Sequence, residues 1–448
     1  MLGRHVVQSH LRKWRAVFVA AWIALVPGIE GRTLTLEESV HLSLEHNEDL
    51  LLARADLQKS KQRVREVRAD GLPSLDLAVD YDRNWLLSSF VFAGNEVKIG
   101  TDNNITGTLR LRQSLYTGGR VGASRTAAHL SRELAGDVQR SVRQDMVGRV
   151  AEDFYEVLLV GELVRVSDQA LVTGRKNLQQ VQALNRAGRA SNYDLLRAEV
   201  QVANLRADSL QVRNLWEVAH MNLKNTVGLN LDQVVEVSGD FREVSQLDLD
   251  DVEALVQLGL SRRPQMQQFE HRLHLQERTI QVEKAALRPS VDLVASGQMQ
   301  FQSDALHVFE EEWRKSWDTG IVVSVPLFDG MRARARVAQA KIDLHRVEVE
   351  REQVEKRVRL QIRQAWLEVR EAGERVQAHV ATVEQAQRGL GIAESRYAAG
   401  VGTQLEMLDA QLTLVRSQTE YAMARRDRAL ALVRLERVTG VLGETLAE

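Results

Sequence analysis

The chain has 448 residues, 44% apolar and 27% charged, with 28 glycines, five prolines and no cysteine. The missing cysteine excludes a disulfide scaffold, a thiolate metal site, a cysteine nucleophile and a lipid carried on an N-terminal cysteine. A net charge of -2, from 59 basic and 61 acidic residues, leaves no electrostatic footprint for nucleic acid, and disordered or collagenous chains need far more proline or glycine.

Arg4, Arg12, Lys13 and Arg15 precede the apolar run AVFVAAWIALV at 16–26. A basic segment before a short apolar run predicts a secretory signal peptide, so 1–31 is read as signal and start of the mature chain. The run falls short of the roughly 20 apolar residues of a membrane-spanning helix, and no later segment reaches 18 in a row.

A charged helical segment, Glu37 to Ala69, leads to Pro73. Leu75, Leu77, Val79 and Tyr81 then alternate with Asp76, Asp80 and Asp82, and Ile105, Leu109 and Leu111 alternate with Thr106, Thr108, Arg110 and Arg112. These period-two runs predict a hairpin over 74–116, with Trp85, Phe90 and Phe92 in its loop. Thr117 before Gly118 suits a helix N-cap. A helix follows over 118–187, turns at Gly188, and a second runs over 191–227 to Gly228.

The pattern then repeats. Tyr116-Thr117-Gly118-Gly119-Arg120 matches Phe328-Asp329-Gly330-Met331-Arg332; Gly188 matches Gly400 and Gly228 matches Gly440, each 212 positions on (328 − 116, 400 − 188, 440 − 228). Upstream the offset is 216, as in Pro73 and Pro289. The sequence therefore predicts one structural repeat over 32–240 and another over 241–448. The second holds a charged helical segment from Asp250 to Ala286 and a hairpin over 290–327. Phe309, Trp313 and Trp317 lie in or beside that hairpin's loop, Asp329 is the expected N-cap, and helices follow over 330–399 and 403–439.

Proline in a helix interior costs about 3 kcal/mol. The five prolines, Pro27, Pro73, Pro264, Pro289 and Pro326, leave 74–263 and 327–448 free of them. Apolar positions Val358, Ile362, Ala365, Val369, Ala372 and Val376 step by three and four, a coiled-coil stripe. Each long helix would extend about 105 Å at 1.5 Å per residue. The strands, one face apolar and one polar, have the length of tilted membrane strands, about 9 to 11 residues. A sheet in lipid must close because its edges cannot be hydrogen-bonded there; four strands are too few, so copies must pool theirs.

Two hairpins, the duplication, the Tyr-Thr-Gly-Gly-Arg junction and the Ala-Gly-x-x-Ser/Thr-x-x-Asp/Glu-x-Leu-x-Ala turns together resemble the TolC family of outer-membrane efflux proteins. The resemblance spans about Leu34 to Gly440. It implies a mainly α, internally duplicated protein with a long α-helical coiled-coil barrel, and four strands per protomer of a trimeric twelve-stranded β-barrel. It further implies a homotrimer in the outer membrane of a Gram-negative bacterium, in contact with outer-membrane lipid and extending into the periplasm. Such a duct passively exports drugs, small molecules or secreted proteins when a periplasmic adaptor (membrane fusion) protein and an inner-membrane pump or ABC transporter dock on it. The other reading of the coiled coils is a non-channel periplasmic adaptor or scaffold, which would carry one helical hairpin flanked by soluble β domains.

The working residues expected from the resemblance gather at the helix turns. Glu406 and Asp409 match acids lining the pore entrance, so a trimer would present a ring of carboxylates that attracts cations. Asp194 and Tyr397 match a closed-state gate, although Gly402 stands where the family's latch has arginine. Arg189, one position off the repeat register, is no safe substitute. Gly188, Ser191, Gly400 and Thr403 form the turns that would contact an adaptor; Gly118, Gly119 and Gly330 mark strand-to-helix junctions. From spacing alone, Ser191-x-x-Asp194 and Thr403-x-x-Glu406 also read as capping boxes, and the two glycines as left-handed helix ends. His271-x-x-His274 lacks a third ligand and reads as solvated histidines. No Walker loop, Gly-x-Ser-x-Gly or His-Glu-x-x-His occurs, so the sequence predicts neither an enzyme nor a cofactor.

Overall fold

The structure, a computed structural model, describes residues 32–244, 247–304 and 313–442; the signal-peptide segment and Phe309 lie outside them. In chain order the first half forms β1 (Arg32–Leu34), α1 (Leu36–His46), α2 (Glu48–Ala69), β2 (Ser74–Arg83), β3 (Ser89–Phe92), β4 (Asn95–Lys98), β5 (Asn103–Tyr116), α3 (Arg120–Arg186) and α4 (Asn192–Val227). Then come β6 (Val235–Val237), α5 (Val252–Arg262), α6 (Pro264–Ala285), β7 (Ser290–Ser303), β8 (Arg314–Ser324), α7 (Arg332–Ala398) and α8 (Gln404–Thr439). The long helices recur 212 positions apart (332 − 120, 404 − 192) and the shorter ones 216 apart (252 − 36, 264 − 48).

Each charged helical segment is two helices. Asn47 has extended backbone and its side chain accepts the Asp49 N–H, so α1 stops and α2 starts there. Arg263 makes the same break because a residue before proline avoids the helical region, and Pro264 opens α6 at a position whose N–H needs no partner.

The long helices α3 and α7 have 67 residues each, or about 100 Å. The stripe from Val358 to Val376 is buried as its spacing predicts, against α8 residues such as Leu432 and Leu435. In the first half Val147, Val150, Phe154 and Tyr155 of α3 pack with Leu34, Val40 and Leu223. His271 departs from its expected solvation. Its Nδ1 lies 2.7 Å from Asp137 Oδ2 and its Nε2 3.5 Å from Glu133, clasping α6 to α3. Asp137 is buried and also takes Arg140, as a carboxylate out of water requires.

β2, β5, β7 and β8 form one antiparallel sheet in that order. Leu77 stands opposite Leu109, Leu109 opposite Gly297 and Gly297 opposite Trp317. One face therefore carries Leu75, Leu77, Val79 and Tyr81 on β2 and Trp317, Ile321 and Val323 on β8, with Leu77 71% and Ile321 65% exposed. The other face carries Asp76, Asp80, Thr106, Thr108, Arg110, Ser296 and Gln298. The outer edges of β2 and β8 have no partner strand among the described residues. The loop expected after β2 holds a further small hairpin, β3–β4, turning through Ala93 and Gly94 with φ of 50° and 82°, the left-handed pair that a two-residue hairpin turn needs.

At the strand-to-helix junctions the N-cap positions fall on Gly119 and Met331, both left-handed, rather than on Thr117 and Asp329. Those two side chains still work from two residues outside: Thr117 Oγ1 accepts the Val121 N–H at 3.2 Å and Asp329 Oδ2 the Ala333 N–H at 2.7 Å. Gly118 and Gly330 have φ of 65° and 69°. A Cβ on Gly118 would meet the Ala285 carbonyl and Arg288 Cβ at 2.8 Å, whereas one on Gly330 would meet nothing within 4 Å. Gly330→Ala is expected to cost only the left-handed penalty, about 1–2 kcal/mol. Gly118→Ala adds about 1–3 kcal/mol of overpacking. Thermal unfolding of the two variants side by side checks the order.

The stretch joining the repeats is strapped to both halves. Phe241 packs beside Tyr155 with ring centroids 6.0 Å apart. Arg242 Nη1 donates to the fully buried Glu436 at 2.8 Å, and Asp240 pairs with Arg425 at 2.7 Å. Burial pushes the Tyr155 hydroxyl from 10.0 up to about 12, with the Arg242 charge pulling the other way. A raised folded-state value favours the protonated fold. That stabilisation, on the order of 3 kcal/mol, is fully present below pH 10 and is lost as pH rises through about 12. Alkaline unfolding should therefore be steeper for the native chain than for Tyr155→Phe over that window.

Candidate functional site

The long helices end in two turns that meet. α3 closes at Ala187, and Gly188, with φ of 71°, lets its own N–H reach Asn185 O at 2.9 Å and the Arg189 N–H reach Leu184 O at 2.8 Å. Asn185 Nδ2 ties the turn down by donating to Ala190 O at 3.0 Å. α7 ends likewise: Gly400 has φ of 76°, and the Val401 and Gly402 N–H groups both donate to Arg396 O at 3.1 Å. These are the glycine-terminated ends that helix geometry favours.

The returning helices are capped unequally. Ser191 and Asp194 form the complete box: Ser191 Oγ accepts the Asp194 N–H at 3.1 Å, and Asp194 Oδ2 accepts the Ser191 N–H at 3.1 Å. Thr403 accepts the Glu406 N–H at 3.2 Å, but the Glu406 carboxylate does not return to it; it points toward Arg396, whose Nε is 3.8 Å away. The box with the shorter acid is thus the closed one, because a cation on α7 draws the longer acid aside. Glu406 and Asp409 are both exposed, three positions apart on α8 and so on adjoining parts of its surface.

Between the turns, Gln404 is buried and its Nε2 donates to the Asp194 carbonyl at 3.1 Å. Tyr397 is half-buried beside Asp194. Burial first, and the Asp194 charge second, raise its hydroxyl above the usual tyrosine range. No hydrogen bond joins Tyr397 to Asp194 among the described residues, the Asp194 carboxylate being committed to Ser191. Gly402 has a steric reason: a Cβ there would lie 3.0 Å from Arg396 Cβ and 3.1 Å from Tyr397 N. Arg189 reaches toward the other turn, its Nη2 3.9 Å from where a Gly400 Cβ would stand.

The turns thus bring together Ser191, Asp194, Tyr397, Thr403 and Glu406, while Gly118, Gly119 and Gly330 lie at the far ends of the long helices. Sequence reasoning missed Gln404, whose amide links the two turns, and Arg396, which holds Glu406. A glutamine directly after a threonine cap carries no signal of its own, since its partner is 210 positions away. Apolar side chains are exposed around the turns: Tyr193, Leu196 and Val200 on α4, Leu405 and Leu412 on α8. No helix among the described residues is long and apolar enough to cross a membrane.

The chain is similar to known proteins along most of its length. The profile of the outer membrane efflux protein family matches residues 40–229 and 255–441. Alkaline protease secretion protein AprF of Pseudomonas aeruginosa is 24% identical over 418 residues, covering 92% of this chain and 85% of that protein. Pyoverdine export outer membrane protein OpmQ of Pseudomonas putida is 24% identical, covering 90% and 85%. The CmeC outer membrane channel of Campylobacter jejuni superposes with a TM-score of 0.76 at 17% identity, over 91% of this chain and 86% of that one.

Proposed function

Because the chain belongs to the outer membrane efflux protein family, we propose that three copies close their sheets into one twelve-stranded barrel and their long helices into a tunnel across the periplasm. The protein is an outer-membrane exit duct of efflux or type I secretion systems. The observation that carries the trimeric reading is the sheet itself: one exposed apolar face, one polar face and two bare edges. Such a sheet is stable in lipid only when closed with others. A periplasmic adaptor built on one helical hairpin does not fit, since α3–α4 and α7–α8 are two hairpins carried below a shared sheet.

Transport in this reading is passive, powered by an inner-membrane pump or ABC transporter through a periplasmic adaptor. The exposed apolar side chains beside Gly188, Ser191, Gly400 and Thr403 suit a docking surface for that adaptor. Asp194 and Tyr397 close the tip, and the Gln404 amide on the Asp194 carbonyl ties the two turns together where no arginine stands at 402. Glu406 and Asp409 line the entrance. The cargo is a drug, another small molecule or a secreted protein, the last two being the classes that OpmQ and AprF carry in their names.

Purification from outer membranes followed by planar-bilayer recording tests the duct. Discrete conductance steps from a three-chain particle are expected. A soluble periplasmic monomer without conductance would sink the proposal.

A further inference from the structure

We infer that the outer rim of the barrel holds a phosphate group of an outer-leaflet lipid, on the lipid-facing side, between Arg83 of one protomer and Lys315 of the next. The inference rests on the proposed closed barrel, because the seam between β2 and β8 exists only there.

The apolar face of the sheet follows odd positions on both edge strands. On β2 it climbs through Leu75, Leu77, Val79 and Tyr81; on β8 it climbs through Val323, Ile321, Thr319 and Trp317. The next odd position on each strand is a cation, Arg83 and Lys315, and both are exposed. Among the described residues neither has a carboxylate within ion-pairing distance. Arg83 instead lies over the Trp85 ring, 4.5 Å from its centroid, so Trp85 extends the same face upward.

Charge on the lipid side of a barrel is tolerated by depth: about 2–4 kcal/mol for Arg or Lys at the midplane, falling to about 0–1 at the interface. Arg83 stands nine positions above Ser74 (83 − 74), and Lys315 nine above Ser324 (324 − 315). Nine residues span about 30 Å along a strand and roughly 23 Å of height at a tilt near 40°, close to the ~25 Å apolar band of such barrels. Both cations therefore sit at headgroup level, the same distance from the periplasmic ends of their strands. Closure sets β2 of one copy beside β8 of the next, which brings them to one seam. Below them Tyr81 and Trp317 supply the aromatic shelf found at membrane interfaces. A guanidinium that can take a phosphate in bidentate fashion, a neighbouring ammonium and an apolar wall beneath match a phosphorylated glycolipid with its acyl chains against the barrel.

The test uses the intact purified trimer, delipidated and titrated in native mass spectrometry with diphosphorylated lipid A and with its enzymatically dephosphorylated form. The native protein is expected to hold the phosphorylated lipid at least about tenfold more tightly, and R83Q/K315Q to lose that preference while conducting normally in planar bilayers. Arg314→Gln removes a cation from the polar face of the same strand and should leave lipid binding unchanged. Equal binding of both lipids by the native trimer, or an undiminished preference in the double variant, overturns the lipid site alone. Failure to find a conducting trimer overturns the site and the duct's assembly together.

Discussion

Arg242→Ala lowers the stability of the folded chain by about 1.5–3 kcal/mol, because it removes a charge-assisted hydrogen bond from the buried Glu436 carboxylate. Glu436 has no solvent exposure, Arg242 only 19%, and the pair is 2.8 Å apart. Replacing both, as Arg242→Met with Glu436→Leu, should recover part of the loss, since an apolar pair of similar volume leaves neither of these charges buried. Removing Arg416 from its largely exposed pair with Glu420, 79% and 41% accessible, should change little, because water screens such pairs. Denaturant unfolding of the four proteins, followed by far-ultraviolet circular dichroism, gives the comparison. Equal stability of Arg242→Ala and the native chain would mean that the strap between the repeats is not anchored through this pair.

Glu406→Ala with Asp409→Ala weakens block of the channel by divalent cations by about tenfold or more, equivalent to roughly 1.4 kcal/mol or more of binding. In the proposed trimer these positions supply a ring of carboxylates at a narrow entrance, where charge selects ions. The substitution is clean: the Thr403 cap takes the backbone N–H of Glu406, which alanine keeps, so α8 retains its start. Asp194→Ala is the contrasting variant. It breaks a closed capping box, at about 0.5–2 kcal/mol of helix stability, without removing an acid from the ring. Arg396→Gln should strengthen block, because the guanidinium 3.8 Å from Glu406 offsets part of that charge. Unchanged block in the double alanine variant would leave both acids as ordinary surface groups.

Much of the architecture was legible because it is periodic. The stripe from Val358 to Val376 and the alternation from Leu75 to Tyr81 name their faces without reference to any partner, and both faces are where the pattern puts them. The helix breaks at Asn47 and Arg263 were partly legible: Pro264 signals its own break, whereas Asn47 is only one of many asparagines until its side chain is seen on Asp49. Contacts between distant segments left no local sign. His271 and Asp137 are 134 positions apart, Arg242 and Glu436 194, and each looks like a solvated residue until the helices pack. At the tip, the glycines and caps were legible as helix ends. The unequal fate of the two boxes was not, because it depends on Arg396 across the turn.

The two bare edges of the sheet, the outer sides of β2 and β8, also govern how the protein is made. Within one chain the helices already bury two apolar cores, one from α3, α4 and α1 with Ala422, Ala429 and Val433 of α8, the other from α7 and α8 with α5. The sheet is not complete, and each unpaired backbone group carried into hydrocarbon costs several kcal/mol. If the sheet closes only among copies, as proposed, a lone subunit matures in its helices before it enters the bilayer. Crossing into the bilayer becomes a reaction among subunits, with a rate that rises more steeply than in proportion to their concentration. A modest fall in expression would then delay insertion by a larger factor, and the duct would respond to gene dosage as a threshold.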